Sequence, residues 1–297
     1  MASAELQQVI AMLAGRPPGE SLPLDEYRAG LDRLTSSFPL PADVTCEPAR
    51  VGALAGEWVS TPGARPGRTL LFLHGGAYVR GSIVSHRELV ARLARAMEAR
   101  ALLVAYRLAP EHPHPAALED ALAAWRWLLA QGADPARALL AGDSAGGGLA
   151  LATLAALRDA GDPLPAAGVL LSPWTDLSHS GDSVRSKAAV DPFCTPTYLR
   201  VMAERYLGGV DPRTPGASPL FAELHGLPPL LLHVGTAEVL LDDSTRVAER
   251  ARVAGTDVTL DVWPDMVHVW HLFAHLLPEG REACERIGAW VRARLPG

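Results

Sequence analysis

The 297 residues suffice for one large domain or two small ones, and 48% hydrophobic with 20% charged residues is a balance that buries a sizeable core. A net charge of -6 with scattered arginines excludes nucleic acid and an anionic membrane surface as partners. The three cysteines, Cys46, Cys194 and Cys284, lie far apart, which excludes a disulfide framework and cysteine metal spacing and fits free thiols in the cytoplasm.

The start Met1-Ala2-Ser3-Ala4-Glu5 lacks the basic and apolar regions of a signal peptide. No apolar run reaches the roughly 18 residues that a membrane span needs. Leu6, Val9, Ile10 and Leu13 recur at helical spacing, and Gly15 with Pro17-Pro18 ends that helix. A second short helix is predicted over 25–34. Both precede any strand signal, so residues 1–40 read as a flap or cap. The β-branched residues over 44–48 and 51–59 predict a hairpin that turns near Ala49-Arg50.

An alternation then begins. The apolar run 68–73 is short enough for a buried strand. Ser85 is the predicted N-cap of the next helix, with Glu88 as its capping-box partner, and the helix runs to about Glu98. Strand 101–106, helix 115–129, strand 138–141 and helix 148–159 follow. Strands 168–171 and 230–234, helix 239–254, strand 258–262 and helix 279–295 complete the series. Residues 178–219 break it. They are rich in Ser, Asp, Gly and Pro, carry a helical piece at 196–206, and read as an insertion packed over the site. Strands alternating with amphipathic helices predict an α/β fold, a mostly parallel sheet covered on both faces. Ligands bind such sheets at the carboxyl ends of the strands.

The chemistry-bearing stretch is Gly142-Asp143-Ser144-Ala145-Gly146. It follows an apolar strand and opens a helix, the setting of a nucleophile elbow, in which a strained turn exposes a serine hydroxyl. A serine hydroxyl needs a base to take its proton, and the base needs a carboxylate to hold it. On a sheet of this kind the chain order is Ser, acid, His. Glu238 lies just past strand 230–234, with Asp242 as the fallback; Asp243 beside it suits a helix N-terminus. His268 follows the last strand. His271 and His275 sit one helical turn apart among Leu and Phe, a packing pattern more than a metal pair. His179 and His225 lie in or near the irregular region, and His233 lies inside a buried strand. His74 precedes Ser144, so it braces a loop rather than serving as the base. Backbone N–H groups for an oxyanion come from His74-Gly75-Gly76-Ala77 and from Ala145 at a helix N-terminus.

Four motifs resemble the hormone-sensitive-lipase-like carboxylesterases of the α/β-hydrolase fold: His74-Gly75-Gly76-Ala77, Tyr106-Arg107-Leu108-Ala109-Pro110-Glu111 with Pro115 through Asp120, Gly142-Asp143-Ser144-Ala145-Gly146-Gly147, and Asp265-Met266-Val267-His268. Two positions depart from the family pattern. Ala77 stands where the family usually has a third glycine, and Glu238 where it usually has Asp. The resemblance implies a helical cap built from residues 1–40 and about 178–219 over a catalytic domain of 41–297. It implies that the Tyr106 motif ties a loop beneath the site, and it is compatible with a homodimer.

These residues together point to a serine carboxylesterase for short acyl or aryl esters. Ser144 attacks, His268 is the base, Glu238 orients it, and the N–H groups of Gly75, Gly76, Ala77 and Ala145 supply the oxyanion hole. No cofactor or metal is needed, and the expected partner is a small-molecule ester. Activity is expected to rise through pH about 6.5 to 7.5 as His268 loses its proton. A lactone, acetyl-group or amide hydrolase on the same site is the alternative. A non-catalytic small-molecule-binding protein is the alternative of another class, and the presence of both Ser144 and His268 speaks against it.

Overall fold

Two helices, α1 (Ala4–Ala14) and α2 (Leu24–Ser36), precede the first strand in the computed structural model, which describes residues 3–295. Ser3 caps α1 by accepting the Leu6 N–H, and the stripe Leu6, Val9, Leu13 is buried. Strands β1 (Thr45–Val51) and β2 (Leu54–Ser60) form the hairpin. It turns at Gly52-Ala53, not at Ala49-Arg50. A two-residue turn needs positive φ, and Gly52 adopts it at 61° without a side-chain clash.

The alternating part runs β3 (Thr69–Leu73), α3 (Ile83–Met97), β4 (Arg100–Val104), α4 (Ala116–Ala130), β5 (Ala138–Asp143), α5 (Ala145–Ala160) and β6 (Ala167–Leu171). The short α6 (Ser183–Ser186) and α7 (Pro196–Leu207) occupy the predicted insertion. Then come β7 (Leu230–Gly235), α8 (Leu241–Val253), β8 (Val258–Trp263) and α9 (Pro278–Arg294). Helix α3 begins earlier than the sequence suggests. Ser82, in extended conformation, is its N-cap, and Ser85 closes the capping box from inside the first turn. Glu88 instead pairs with Arg92 one turn on, at 2.5 Å. Helix α5 likewise starts at Ala145 rather than 148.

The eight strands have the order β1-β2-β4-β3-β5-β6-β7-β8. β1 with β2 and β2 with β4 are antiparallel, and the other neighbours are parallel. Every residue of β3, β5, β6 and β7 is buried, which is why these strands read as unbroken apolar runs. Within β3, Leu71 and Leu73 face one core and Leu70 and Phe72 the other. The first core takes Trp125 of α4, Leu154 of α5 and Val247 of α8. The second takes Leu6 of α1, Val90 of α3 and Ile287 of α9.

Helix α2 meets the insertion through Tyr27 and Tyr198, whose hydroxyls lie 2.6 Å apart. Arg28 fixes the same helix to the body. Its guanidinium donates to the carbonyls of Val79 (2.8 Å) and Ala109 (3.0 Å) and pairs with Glu111 at 2.7 Å. Tyr206 of α7 stacks on Tyr78 with ring centres 3.7 Å apart. The two segments outside the alternation therefore converge over the carboxyl ends of the central strands.

Candidate active site

Strand β5 and helix α5 are joined by a single residue, Ser144, at φ 52° and ψ -122°. A non-glycine residue there is strained by about 1 kcal/mol or more, and it persists because the strand and helix on either side hold it. The turn is tight enough that a Cβ on Gly146 would lie 2.0 Å from the Leu73 carbonyl oxygen. Backbone has to move to admit it. Gly146→Ala is therefore expected to cost at least about 2 kcal/mol, read as a lower midpoint in denaturant unfolding. An unchanged midpoint would mean that the elbow is looser than its geometry.

Three strand ends bring the remaining groups to Ser144. His268 follows β8, and its Nε2 is 2.9 Å from Ser144 Oγ. Glu238 follows β7, and its Oε2 is 2.9 Å from His268 Nδ1. A carboxylate at Nδ1 fixes the proton on that nitrogen, which leaves Nε2 to accept from the serine hydroxyl. Glu238 is itself held. Its Oε1 accepts the Gly235 N–H at 2.6 Å and the Ser172 hydroxyl at 2.9 Å. Glu238 and His268 are both buried.

Burial works against the imidazolium, but Cys194 and Glu238 more than offset it, and His268 sits well above the usual histidine value. Burial raises the Cys194 thiol itself. Phe193 packs edge-on against the ring, with centres 5.5 Å apart.

The other carboxylates have other partners. Asp242 accepts the Ser183 N–H at 2.8 Å and ties α6 to α8. Asp243 accepts the N–H groups of Thr175 (2.6 Å) and Asp176 (2.9 Å). The other histidines stand apart as well. His271 lies against His233 at 3.3 Å, whereas His275 stacks on Phe38 at 3.9 Å, so the two do not face a common point. Burial pushes His233 down to about 4. His179 stacks on Trp174, and His225 is exposed.

The loop after β3 lines the same space as Ser144. The Gly75 N–H donates to Asp143 Oδ1 at 2.9 Å, which corrects its place among the oxyanion donors: that N–H is committed to the loop's own anchorage. The N–H groups of Gly76 and Ala77 have no acceptor among the described residues. That of Ala145 stands in the first turn of α5, where no helical carbonyl reaches it. These three are the free donors beside Ser144. His74 braces the loop. Its ring stacks on Tyr106 at 4.2 Å, and its carbonyl accepts the Tyr106 hydroxyl at 2.6 Å. Burial pushes His74 down to about 3, so it is neutral. Arg107 then locks this segment to α4, its N–H donating to Asp120 at 2.8 Å and its guanidinium pairing with Asp120 and Glu119.

Sequence reasoning missed three members of this assembly. Ser172 supports Glu238 and also accepts the Val269 N–H at 3.2 Å. Asp143 and His86, 3.3 Å apart, both face the Gly75 N–H. The position of Ser172, just past β6 between the strands that carry Ser144 and Glu238, is the one signal that could have marked it. His86 leaves no such trace, because its contact is purely tertiary.

A profile of the α/β-hydrolase fold family matches residues 70–272. The chain belongs to this family. An acetyl-hydrolase of Streptomyces hygroscopicus is 49% identical over 296 residues, 98% of this chain and 97% of the relative. A solved esterase of the bacterial hormone-sensitive lipase family is 47% identical, with a TM-score of 0.96 over 99% of both chains. The esterase EstE5, solved after a soak in p-nitrophenyl butyrate, is also 47% identical, with a TM-score of 0.94 over 99% of both. Within this α/β-hydrolase the two departures from the family pattern have local explanations. Ala77 keeps the left-handed φ of 57° that a glycine would adopt freely, and its methyl group lines the space beside Ser144. Glu238 stands on the loop before α8, where the Gly235 N–H and Ser172 hold its longer side chain against His268.

That space is narrow, about 20 Å³, and is lined by Gly76, Ala77, Ser144, Phe193 and His268 among others. A wider cleft of about 410 Å³ adjoins it across Arg80, Phe193 and Tyr198. The cleft's walls come from 13–33 and 192–198.

Proposed function

We propose that this carboxylic ester hydrolase works through Ser144, His268 and Glu238. The observation that carries the reading is the unbroken chain from Ser144 Oγ to His268 to Glu238, 2.9 Å at each step, beside three free N–H groups. His268 Nε2 takes the serine proton as Oγ attacks the ester carbonyl. The N–H groups of Gly76, Ala77 and Ala145 stabilise the oxyanion that forms. His268 returns the proton to the departing alcohol, leaving an acyl-serine. It then takes a proton from water, which attacks the acyl carbon, and gives that proton back to Ser144 as the carboxylic acid leaves. Glu238 holds the imidazole orientation and stabilises the imidazolium in both halves.

The narrow space beside Ser144 supports short acyl groups, and so does the p-nitrophenyl butyrate used with EstE5. Hydrolysis of p-nitrophenyl esters from acetate to palmitate tests this. Turnover should peak at acetate to butyrate and fall steeply beyond; equal turnover of palmitate would overturn the short-chain reading. Removal of an acetyl group from oxygen or nitrogen is the second reading, favoured by the relative named acetyl-hydrolase.

Three further readings belong to the same proposal. Residues 1–40 and 178–219 form a cap over a catalytic domain of 41–297, a division supported by the Tyr27–Tyr198 contact and by the shared cleft. A homodimer forms across the outer edge of β8, which has no neighbour among the described residues. Light scattering tests the dimer, and a monomer at every concentration would overturn it. No described helix is long and apolar enough to cross a membrane. The cytoplasmic location is supported by the three free thiols.

The pH dependence follows from the His268 environment. Only the neutral imidazole accepts the serine proton, so kcat/KM rises with pH through the His268 pKa in the free enzyme. That pKa is raised, so the acid limb is expected above the usual histidine value of about 6.5. A rate already level below that pH, with chemistry rate-limiting, would count against His268 as the base.

A further inference from the structure

Arg80 stands on the wall shared by the narrow space at Ser144 and the wider cleft. Its side chain is buried, and its Nε has no hydrogen-bond partner among the described residues. No carboxylate of the described residues pairs with it; burial acts against its charge, and Tyr27, Tyr198 and Cys194 act for it, Tyr198 also as a hydrogen-bond partner. Aromatic faces hold it instead. The guanidinium carbon lies 4.3 Å from the centre of the Tyr27 ring and 5.9 Å from that of Phe193. Such faces offset part of the loss of hydration and satisfy none of the in-plane N–H groups. Arginine does not escape by losing its proton, so the charge stays. A buried unpaired charge is costly for a fold to keep, and a bound anion removes that cost.

The surroundings point the same way. Arg16 stacks its guanidinium over Phe193, 4.6 Å from the ring centre, so two cations face one cleft. Burial lowers the Arg16 pKa, and repulsion from Arg80 lowers it further. Arg33, Glu20 and Glu26 line the same cleft. Asp143 on the inner side already accepts the Gly75 N–H. The Arg80 N–H donates to the Gly76 carbonyl at 3.0 Å, which fixes the cation relative to the loop that receives the oxyanion.

We propose that Arg80 recognises a carboxylate on the substrate, so that the preferred esters are anionic. The carboxylate belongs to the acyl half, as in a dicarboxylic acid monoester, or to the alcohol half, as in an acylated hydroxy acid. In either case its pairing with a desolvated guanidinium places the ester against Ser144. This inference rests on the ester-hydrolase reading.

The test compares kcat/KM for matched pairs. p-Nitrophenyl hemiglutarate against p-nitrophenyl butyrate reports a carboxylate on the acyl half. 4-Acetoxybenzoate against 4-acetoxybenzamide reports one on the alcohol half. The wild type is expected to prefer the anion by about 10-fold or more in one pair. Arg80→Met should lower that ratio by about 10-fold or more, with Arg80→Lys in between. The ratio cancels the fraction of active enzyme, so a poorly folded variant does not mimic the result. Ratios near one in both pairs, or an undiminished ratio in Arg80→Met, would overturn the proposal. If Arg80→Met yields no active protein, inhibition of the wild type decides. 4-Hydroxybenzoate should inhibit p-nitrophenyl butyrate hydrolysis more strongly than 4-hydroxybenzamide, and salt should narrow the gap. Equal inhibition would overturn the proposal. Wild-type inactivity on all four esters would defeat the esterase reading instead.

Discussion

Ser144→Ala is expected to lower kcat for p-nitrophenyl butyrate by roughly 10⁴-fold or more while leaving the unfolding midpoint nearly unchanged. The hydroxyl is the atom that forms the acyl intermediate, so nothing in the remaining site can substitute for it. Alanine should cost little in stability because Ser144 owes its φ of 52° to the strand and helix on either side, and among the described residues its Oγ hydrogen-bonds only to His268. What activity survives comes from the oxyanion donors and from binding. A variant that kept a tenth of wild-type kcat would remove Ser144 from the mechanism.

Glu238→Gln is expected to have the next largest effect, a loss in kcat of about 10³- to 10⁴-fold. The amide has nearly the same shape, but the charge that fixes the proton on His268 Nδ1 is gone. The imidazolium formed during attack then lacks its counter-charge, so the acid limb of the pH profile should also move down. Oε1 of Glu238 accepts from both Gly235 and Ser172, so a glutamine can keep an oxygen there only by turning its NH₂ toward His268. That arrangement favours the wrong tautomer. Asp242→Asn is the matched control, because Asp242 meets the Ser183 N–H and not the histidine. It should keep near wild-type kcat. The opposite pattern, with Asp242→Asn collapsing and Glu238→Gln active, would reassign the acid.

Much of this architecture is readable along the chain because it follows from local patterning. The buried parallel strands announce themselves as short apolar runs, and the elbow as small residues between a strand and a helix. The order of serine, carboxylate and histidine at the ends of β5, β7 and β8 brings Ser144, Glu238 and His268 within reach of one another in the fold. What the chain does not display is set by contacts between distant segments. Asp242 stays a fallback to Glu238 until α8 is known to begin at Leu241, which leaves Glu238 on the loop. Gly75 looks like an oxyanion donor until Asp143 is seen to take its N–H. Ser85 looks like an N-cap because it precedes a helical pattern, yet Ser82 has the extended backbone that a cap requires. Arg80 sits between Val79 and Gly81 with no motif around it; only the packing of α2 and residues 193–198 encloses it between two cavities.

Ester hydrolysis through a covalent bond to Ser144 leaves that serine open to an irreversible sulfonylating reagent. Phenylmethylsulfonyl fluoride should inactivate the wild type with one adduct per chain, and peptide mass mapping should place it on Ser144, growing in step with lost activity. Complete inactivation with the adduct on another residue, or full turnover by enzyme modified at Ser144, would exclude Ser144 as the nucleophile.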